Sequence, residues 1–268
     1  MTEKNNTDSI KGKAVIVTGS VGGLGFAVGR KLAAEGCKVM LNALCTPEEG
    51  QAKAREIETE FRVPVKFHGA DLSEPKQIED LVRFTESELG PVEILVNNAV
   101  MRNFGAVDKI TTEGWNKAVA VNLNAPFHLI RLTFPGMKSR KWGRIINISS
   151  NWGLTGTIDR ADYVATKHGV VGLTRAVGLE GLPYNVTANA ICPASVLTPH
   201  AERQVRERMA RDNQNWDEAA AAFLKTRQPS GRFVMPEKIA DLIVFLCSSS
   251  ASEMTAAPIA MDGGWLSI

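Results

Sequence analysis

No stretch of this 268-residue chain approaches the roughly 18 consecutive apolar residues that a membrane span requires, and its polar start has no apolar signal core. Charge of one sign is missing too. The 31 Lys and Arg and 29 Asp and Glu leave a formal net charge of +2, no electrostatic footprint for nucleic acid or an anionic membrane surface. Cys37, Cys45, Cys192 and Cys247 include no Cys-x-x-Cys pair, and His68, His128, His168 and His200 have no metal-like spacing. Disulfides and a metal site are therefore not expected, and three cysteines in apolar contexts suit buried thiols in a reducing cytoplasm. Internal repeats and low-complexity tracts are absent as well. What these absences leave is small-molecule chemistry on one domain, 11–268, behind a leader, 1–10, expected to be disordered.

Seven short apolar runs, at 14–18, 38–42, 65–68, 94–97, 145–148, 186–191 and 258–261, have the length and composition of strands. Helical patterns at 24–35, 47–61, 74–89, 115–137, 161–182 and 236–248 lie between them. Strand alternating with helix predicts an α/β fold, a doubly wound parallel sheet. The polar segment 199–232 interrupts that rhythm after the sixth strand. Its mixed charges fit a solvated surface helix, but an excursion from a strand's carboxyl end is placed to cover a ligand, and a helical lid is expected.

Thr18-Gly-Ser-Val-Gly-Gly-Leu-Gly25 follows the first strand and opens the first helix, the context that makes a glycine pattern informative. Gly19 permits the tight turn, Gly23 lets backbone approach a pyrophosphate, and Gly25 allows close packing. A helix N-terminus then faces the anion. Asp71, just past the third strand, is placed to accept from an adenine amino group, or else to cap a helix, a role Ser73 can also fill. Asn97-Asn98-Ala99 ends the fourth strand and is expected to turn amides toward the adenosine. Neither an acid nor an arginine stands at Leu41-Asn42-Ala43-Leu44, so a ribose 2′-phosphate finds no partner there; NAD is expected, with NADP still open.

Tyr163 and Lys167 stand four residues apart in a helical pattern and so share a face. A free phenol titrates near ~10, and a neighbouring ammonium lowers that value toward the range useful for proton transfer. Ser150, ending the apolar run that starts at Arg144, is placed to hydrogen-bond the same substrate oxygen. Tyr and Lys at helical spacing are more often surface residues, so this trio alone is suggestive only.

Taken jointly, Thr18-Gly-x-x-x-Gly-x-Gly25, Asn97-Asn-Ala99, Asn122, Ser150, Tyr163-x-x-x-Lys167, Pro193 and Thr198 resemble the short-chain dehydrogenase/reductase family over nearly the whole chain. The resemblance implies Tyr163 as acid/base, Ser150 as carbonyl anchor, Lys167 as ribose ligand and tuner of the phenol, and Asn122 as holder of a proton-relay water. On spacing alone Asn122 could equally be a helix-breaking polar residue. Cofactor contacts are implied at Leu24, Leu72, Asn98, Pro193, Val196 and Thr198, and a homotetramer is implied as the assembly. Further motifs, among them Gln228-Pro-Ser230 and Asp262-Gly-Gly-Trp265, are similar to the D-3-hydroxybutyrate dehydrogenase branch.

Four positions that hold the substrate carboxylate in that branch here read Arg102, Trp152, Arg160 and Gln204, of which Gln204 alone is unchanged. Two guanidinium groups could clamp a carboxylate bidentately, or could be solvated surface charges. Val100 and Ala194 replace glycines usual in the family, raising the expectation of a crowded nicotinamide site or an adjusted backbone. Three readings stand: an NAD-dependent secondary alcohol dehydrogenase acting on a 3-hydroxy acid or related anion, an NADPH-dependent ketone or oxoacyl reductase, and a non-catalytic dinucleotide sensor.

Overall fold

The computed structural model describes residues 10–267. Seven strands form one sheet: β1 (Ala14–Thr18), β2 (Lys38–Asn42), β3 (Val65–His68), β4 (Val92–Asn97), β5 (Gly143–Ile148), β6 (Val186–Pro193) and β7 (Pro258–Met261). They run parallel in the order β3-β2-β1-β4-β5-β6-β7. The order reverses between β1 and β4. A crevice opens there at the carboxyl ends of the strands, where open α/β sheets bind ligands.

Burial on both faces explains why the strands read as continuous apolar runs rather than alternating ones. Val15 and Val17 of β1 pack toward α1 (Gly23–Ala34), α2 (Pro47–Phe61) and α9 (Pro236–Cys247) through Val28, Leu32, Ile57 and Ile243. Ala14 and Ile16 point the other way, toward α3 (Pro75–Leu89), α5 (Ala125–Arg140) and α6 (Ala161–Gly181) through Ile78, Leu81, Leu129 and Val177. This is the doubly wound sheet expected from the strand and helix rhythm.

Three details differ from expectation. The pattern 115–137 is not one α-helix: α4 (Thr112–Val119) passes into a π turn, Ala120–Asn124, before α5. The wide turn carries Asn122, buried, whose side chain bonds a loop rather than its own helix. The expected leader lies outside the described residues except for Ile10, which is buried and whose carbonyl accepts from Cys37 Sγ at 3.2 Å, so the fold begins one residue earlier. Ser73 caps nothing; its hydroxyl donates to Asp71 Oδ1, and Glu74 at the start of α3 makes no side-chain cap. Segment 199–232 forms two helices, α7 (Pro199–Asp212) and α8 (Trp216–Leu224). Among the described residues no helix is long and apolar enough to cross a membrane, and no cluster of possible metal ligands occurs.

Candidate active site

A cleft of about 730 Å³ opens at the carboxyl ends of β1, β4, β5 and β6. On its cofactor side the glycine loop is held by internal bonds. Thr18 Oγ1 accepts from the amides of Asn98 and Ala99, at 2.9 and 3.0 Å, while Asn98 Nδ2 donates to the carbonyls of Thr18 and Gly19, each at 2.9 Å. These amides therefore brace the loop and do not turn toward an adenosine, contrary to the expectation for Asn97-Asn98-Ala99; Asn97 itself donates to Asn147 Oδ1. Gly19 has φ +62, and a Cβ on Gly25 would stand 2.2 Å from Gly19 O. So Gly25 permits the loop to close on the helix start. The first turn of α1 has no side-chain cap, which leaves N–H donors for an anion.

Gly19, Gly23, Leu24, Gly25 and Asn98 line the cleft, as do Pro193, Val196 and Thr198 after β6. The Thr198 hydroxyl also caps α7, accepting from Ala201 N at 3.4 Å. Asp71 and Leu72 are not brought to the cleft walls. Leu72 is buried in the core beneath α3, and Asp71 Oδ1 accepts from Ser73 N and Oγ, bonds that hold its carboxyl below the usual range despite partial burial. Val100 and Ala194 both face the cleft, and neither takes the positive φ that would favour glycine. At the end of β2, buried Asn42 donates to the carbonyls of His68 and Ala70, and Leu44 is exposed.

On the chemical side, Tyr163 and Lys167 project together from α6 and are buried. The Lys167 ammonium sits 5.6 Å from the Tyr163 ring centroid and donates to Ile148 O at 2.6 Å, which ties α6 to the end of β5. Ser150 Oγ, just past β5, lies beside the Tyr163 phenol and donates to Asn151 Oδ1 at 2.9 Å. Burial alone would push the phenol up. The charges of Lys167 and Arg102, with the polar Ser150 beside the ring, outweigh it and hold Tyr163 below the ordinary tyrosine value. Burial pulls Lys167 down as well, against the attraction of Tyr163.

Asn122 does not line the cleft. Its Oδ1 accepts from Met101 N at 2.7 Å, and its Nδ2 donates to Met101 O and to Thr166 Oγ1. The π turn thus pins the loop that carries Arg102. Arg102 stands 6.0 Å from the Tyr163 ring, and Arg160 lies 3.7 Å over Phe104, 5.3 Å from Trp152 and 5.6 Å from Tyr163. Trp152 meets Tyr163 edge-on, and Gln204 of α7 completes this wall. Neither arginine is a remote surface charge. His200 also lines the cleft, and burial, with Arg102, Arg203 and Arg160 nearby, keeps its imidazole below the usual value. Asn151, Phe104 and Arg227 were not singled out from the sequence, and Trp265 entered only within a motif. Asn151 adjoins Ser150 and was the one legible by position; the others arrive through the fold.

The short chain dehydrogenase model matches residues 13–209. The chain belongs to that family. It is 40% identical to the D-beta-hydroxybutyrate dehydrogenase of Cupriavidus necator, over 96% of this chain and 99% of that one. The enzyme of the same name from Rhizobium meliloti is 36% identical, with 94% and 98% covered. Among solved structures, L-sorbose reductase from Gluconobacter frateurii, complexed with NADPH and L-sorbose, superposes with a TM-score of 0.92 at 27% identity, covering 98% of this chain and 99% of that one. As a short-chain dehydrogenase/reductase, the chain is an enzyme that interconverts a secondary alcohol and a ketone with a nicotinamide cofactor, and the sensor reading falls away.

Proposed function

We propose that the enzyme uses NAD and acts on a hydroxy acid, with the carboxylate held by Arg102 and Arg160. The observation that carries this reading is the cleft's charge: Arg102 and Arg160 flank Tyr163, and no Asp or Glu lines the walls. Guanidinium groups pair bidentately with carboxylates, and with no competing acid they are available to do so. Support for NAD comes from 41–44, where no cation is available for a 2′-phosphate, and from Gly22 in the loop, which offers no positive charge. The NADPH named with L-sorbose reductase and with actinorhodin polyketide ketoreductase motivates the second reading, an NADPH-dependent reductase.

A bound nicotinamide supplies the hydride acceptor for the alcohol carbon. During oxidation the Tyr163 phenolate takes the hydroxyl proton, and in reduction the phenol returns it. Ser150 orients the substrate oxygen, and Lys167, fixed by Ile148 O, stabilises the phenolate. The Asn122 amide is spent on the Met101 loop, so any help with proton exit would come from its backbone. Helices α7 and α8 act as the lid, Gln204 contacting substrate on closure. Exposed Phe127 on α5 and Leu179 on α6 support a homo-oligomer, a tetramer, and four free cysteines suit the cytoplasm.

Tyr163→Phe should lower turnover by at least ~100-fold while NADH binding, followed by fluorescence, is kept. Retained turnover would sink the assignment. Comparing NADH with NADPH at equal concentration separates the two cofactor readings.

A further inference from the structure

Three arginines from three separate segments reach the cleft: Arg102 after β4, Arg160 at the start of α6, and Arg227 after α8. Among the described residues none of them makes an ion pair, whereas Arg30, Arg83, Arg131, Arg208 and Arg211 all do. Nor does any carboxylate line the cleft to share their charge. Like charges gathered without counter-ions repel, and a ligand that supplies the missing charges gains what the empty site loses. The cofactor does not account for them, because its pyrophosphate belongs at the α1 N-terminus, where backbone donors are free.

Arg227, like Arg160, lies against an aromatic ring. Its guanidinium lies 4.1 Å over the Phe223 ring, which packs against Phe233 at 5.6 Å. Stacking on a ring face fixes the plane and leaves the N–H edge for a planar anion. The two stacked groups differ in what adjoins them. Arg160 touches the reacting centre through Tyr163, whereas Arg227 stands with Thr226 and Trp265 on the wall that α8 leads into. One carboxylate bound by Arg102 and Arg160 beside Tyr163 leaves Arg227 without a partner.

We infer that the substrate is a hydroxy compound with two anionic groups, one held by Arg102 and Arg160 and the second, a carboxylate or a phosphate, by Arg227. This rests on the proposed hydroxy-acid reading and extends it to a dianion. Arg227 is then the residue that separates dianionic from monoanionic substrates.

The test compares 3-hydroxybutanoate, 3-hydroxypentanedioate and 3-hydroxy-4-phosphooxybutanoate as substrates of the purified enzyme with NAD and NADP. A dianion should exceed the monoanion in kcat/KM by about tenfold or more, and the better of the two tells carboxylate from phosphate. Arg227→Gln should lower kcat/KM for that dianion about tenfold more than for the monoanion, mainly through KM, and Arg227→Lys should recover part of the loss. Equal kcat/KM values for monoanion and dianions, or equal losses in the variant, would overturn the inference. Binding without turnover gives an independent arm: glutarate should raise Tm more than butyrate in the cofactor-bound enzyme, and Arg227→Gln should remove the difference. If no substrate turns over but that difference is present, the hydroxy-acid activity fails and the two-anion site stands. Equal shifts would remove the site.

Discussion

The two walls of the cleft differ in how their polar groups are spent. On the cofactor side Thr18, Asn98 and Asn42 are all consumed by internal hydrogen bonds, and the Gly25 contact allows no added atom. On the substrate side Arg102, Arg160 and Arg227 make contacts to aromatic rings but no ion pairs. A cofactor of constant shape is met by a prebuilt surface, whose groups need no rearrangement at binding. The substrate wall instead keeps unneutralised charge, so its affinity depends on what the ligand brings. Specificity is thus concentrated on one side of Tyr163.

The cofactor wall should therefore tolerate change worst. In Gly25→Ala the new Cβ would fall 2.2 Å from Gly19 O and 2.6 Å from Asn98 Nδ2, far inside contact distance. The loop must move, and the Asn98 bonds to Thr18 and Gly19 go with it. Overpacking of this kind costs about 1–3 kcal/mol, so the cofactor Kd should rise roughly fivefold to 150-fold. Fluorescence titration with NADH measures it. An unchanged Kd would mean that this wall is as adaptable as the other, and the contrast would fail.

Arg102 lies where the two walls meet, since its guanidinium stands 6.0 Å from the ring of the phenol that does the chemistry. Its charge is among those that hold Tyr163 down against the upward pull of burial. With Arg102→Gln the phenol should titrate higher. Alcohol oxidation needs the phenolate, so the acid limb of the kcat profile should move to higher pH; reduction needs the neutral phenol, so its alkaline limb should move the same way. A neutral alcohol such as 2-butanol keeps carboxylate binding out of the measurement. If the limbs stay in place while KM for an acidic substrate rises, Arg102 serves binding alone, and the substrate wall is separable from the chemistry.

The same contrast explains what could be read along the chain. Strand positions were legible because burial on both faces leaves a mark at each residue, as in the apolar run of β1. Tyr163 and Lys167 were legible because their relation is local to one helix. Asn98 was assigned to the adenosine side because its position beside the cleft was evident and its partners, about eighty residues away at Thr18 and Gly19, were not. The wide turn at Asn122 depends on bonds to Met101 and Thr166, again distant in sequence. Arg227 and Phe104 acquire meaning only from the elements that fold over α6.

Asn151 offers the finest comparison, because among the described residues it is the substrate-side polar group seen competing for a catalytic partner. Ser150 has a single hydroxyl proton, and Asn151 Oδ1 at 2.9 Å can accept it, as can the Tyr163 phenolate or a substrate oxygen. The Trp152 amide points at both Ser150 Oγ and Asn151 Oδ1, at 3.2 and 3.0 Å, so it can still hold Ser150 in place when Asn151 is shortened. Asn151→Ala should then free the proton for the cleft. One neutral hydrogen bond is worth about 1 kcal/mol, so kcat/KM should rise about fivefold in both directions, as it must when one transition state is stabilised. Steady-state rates of oxidation and reduction, taken with unchanged NADH affinity, check this. A fall instead would show that Asn151 orients Ser150, and that the substrate wall is also prebuilt where it meets the reacting oxygen.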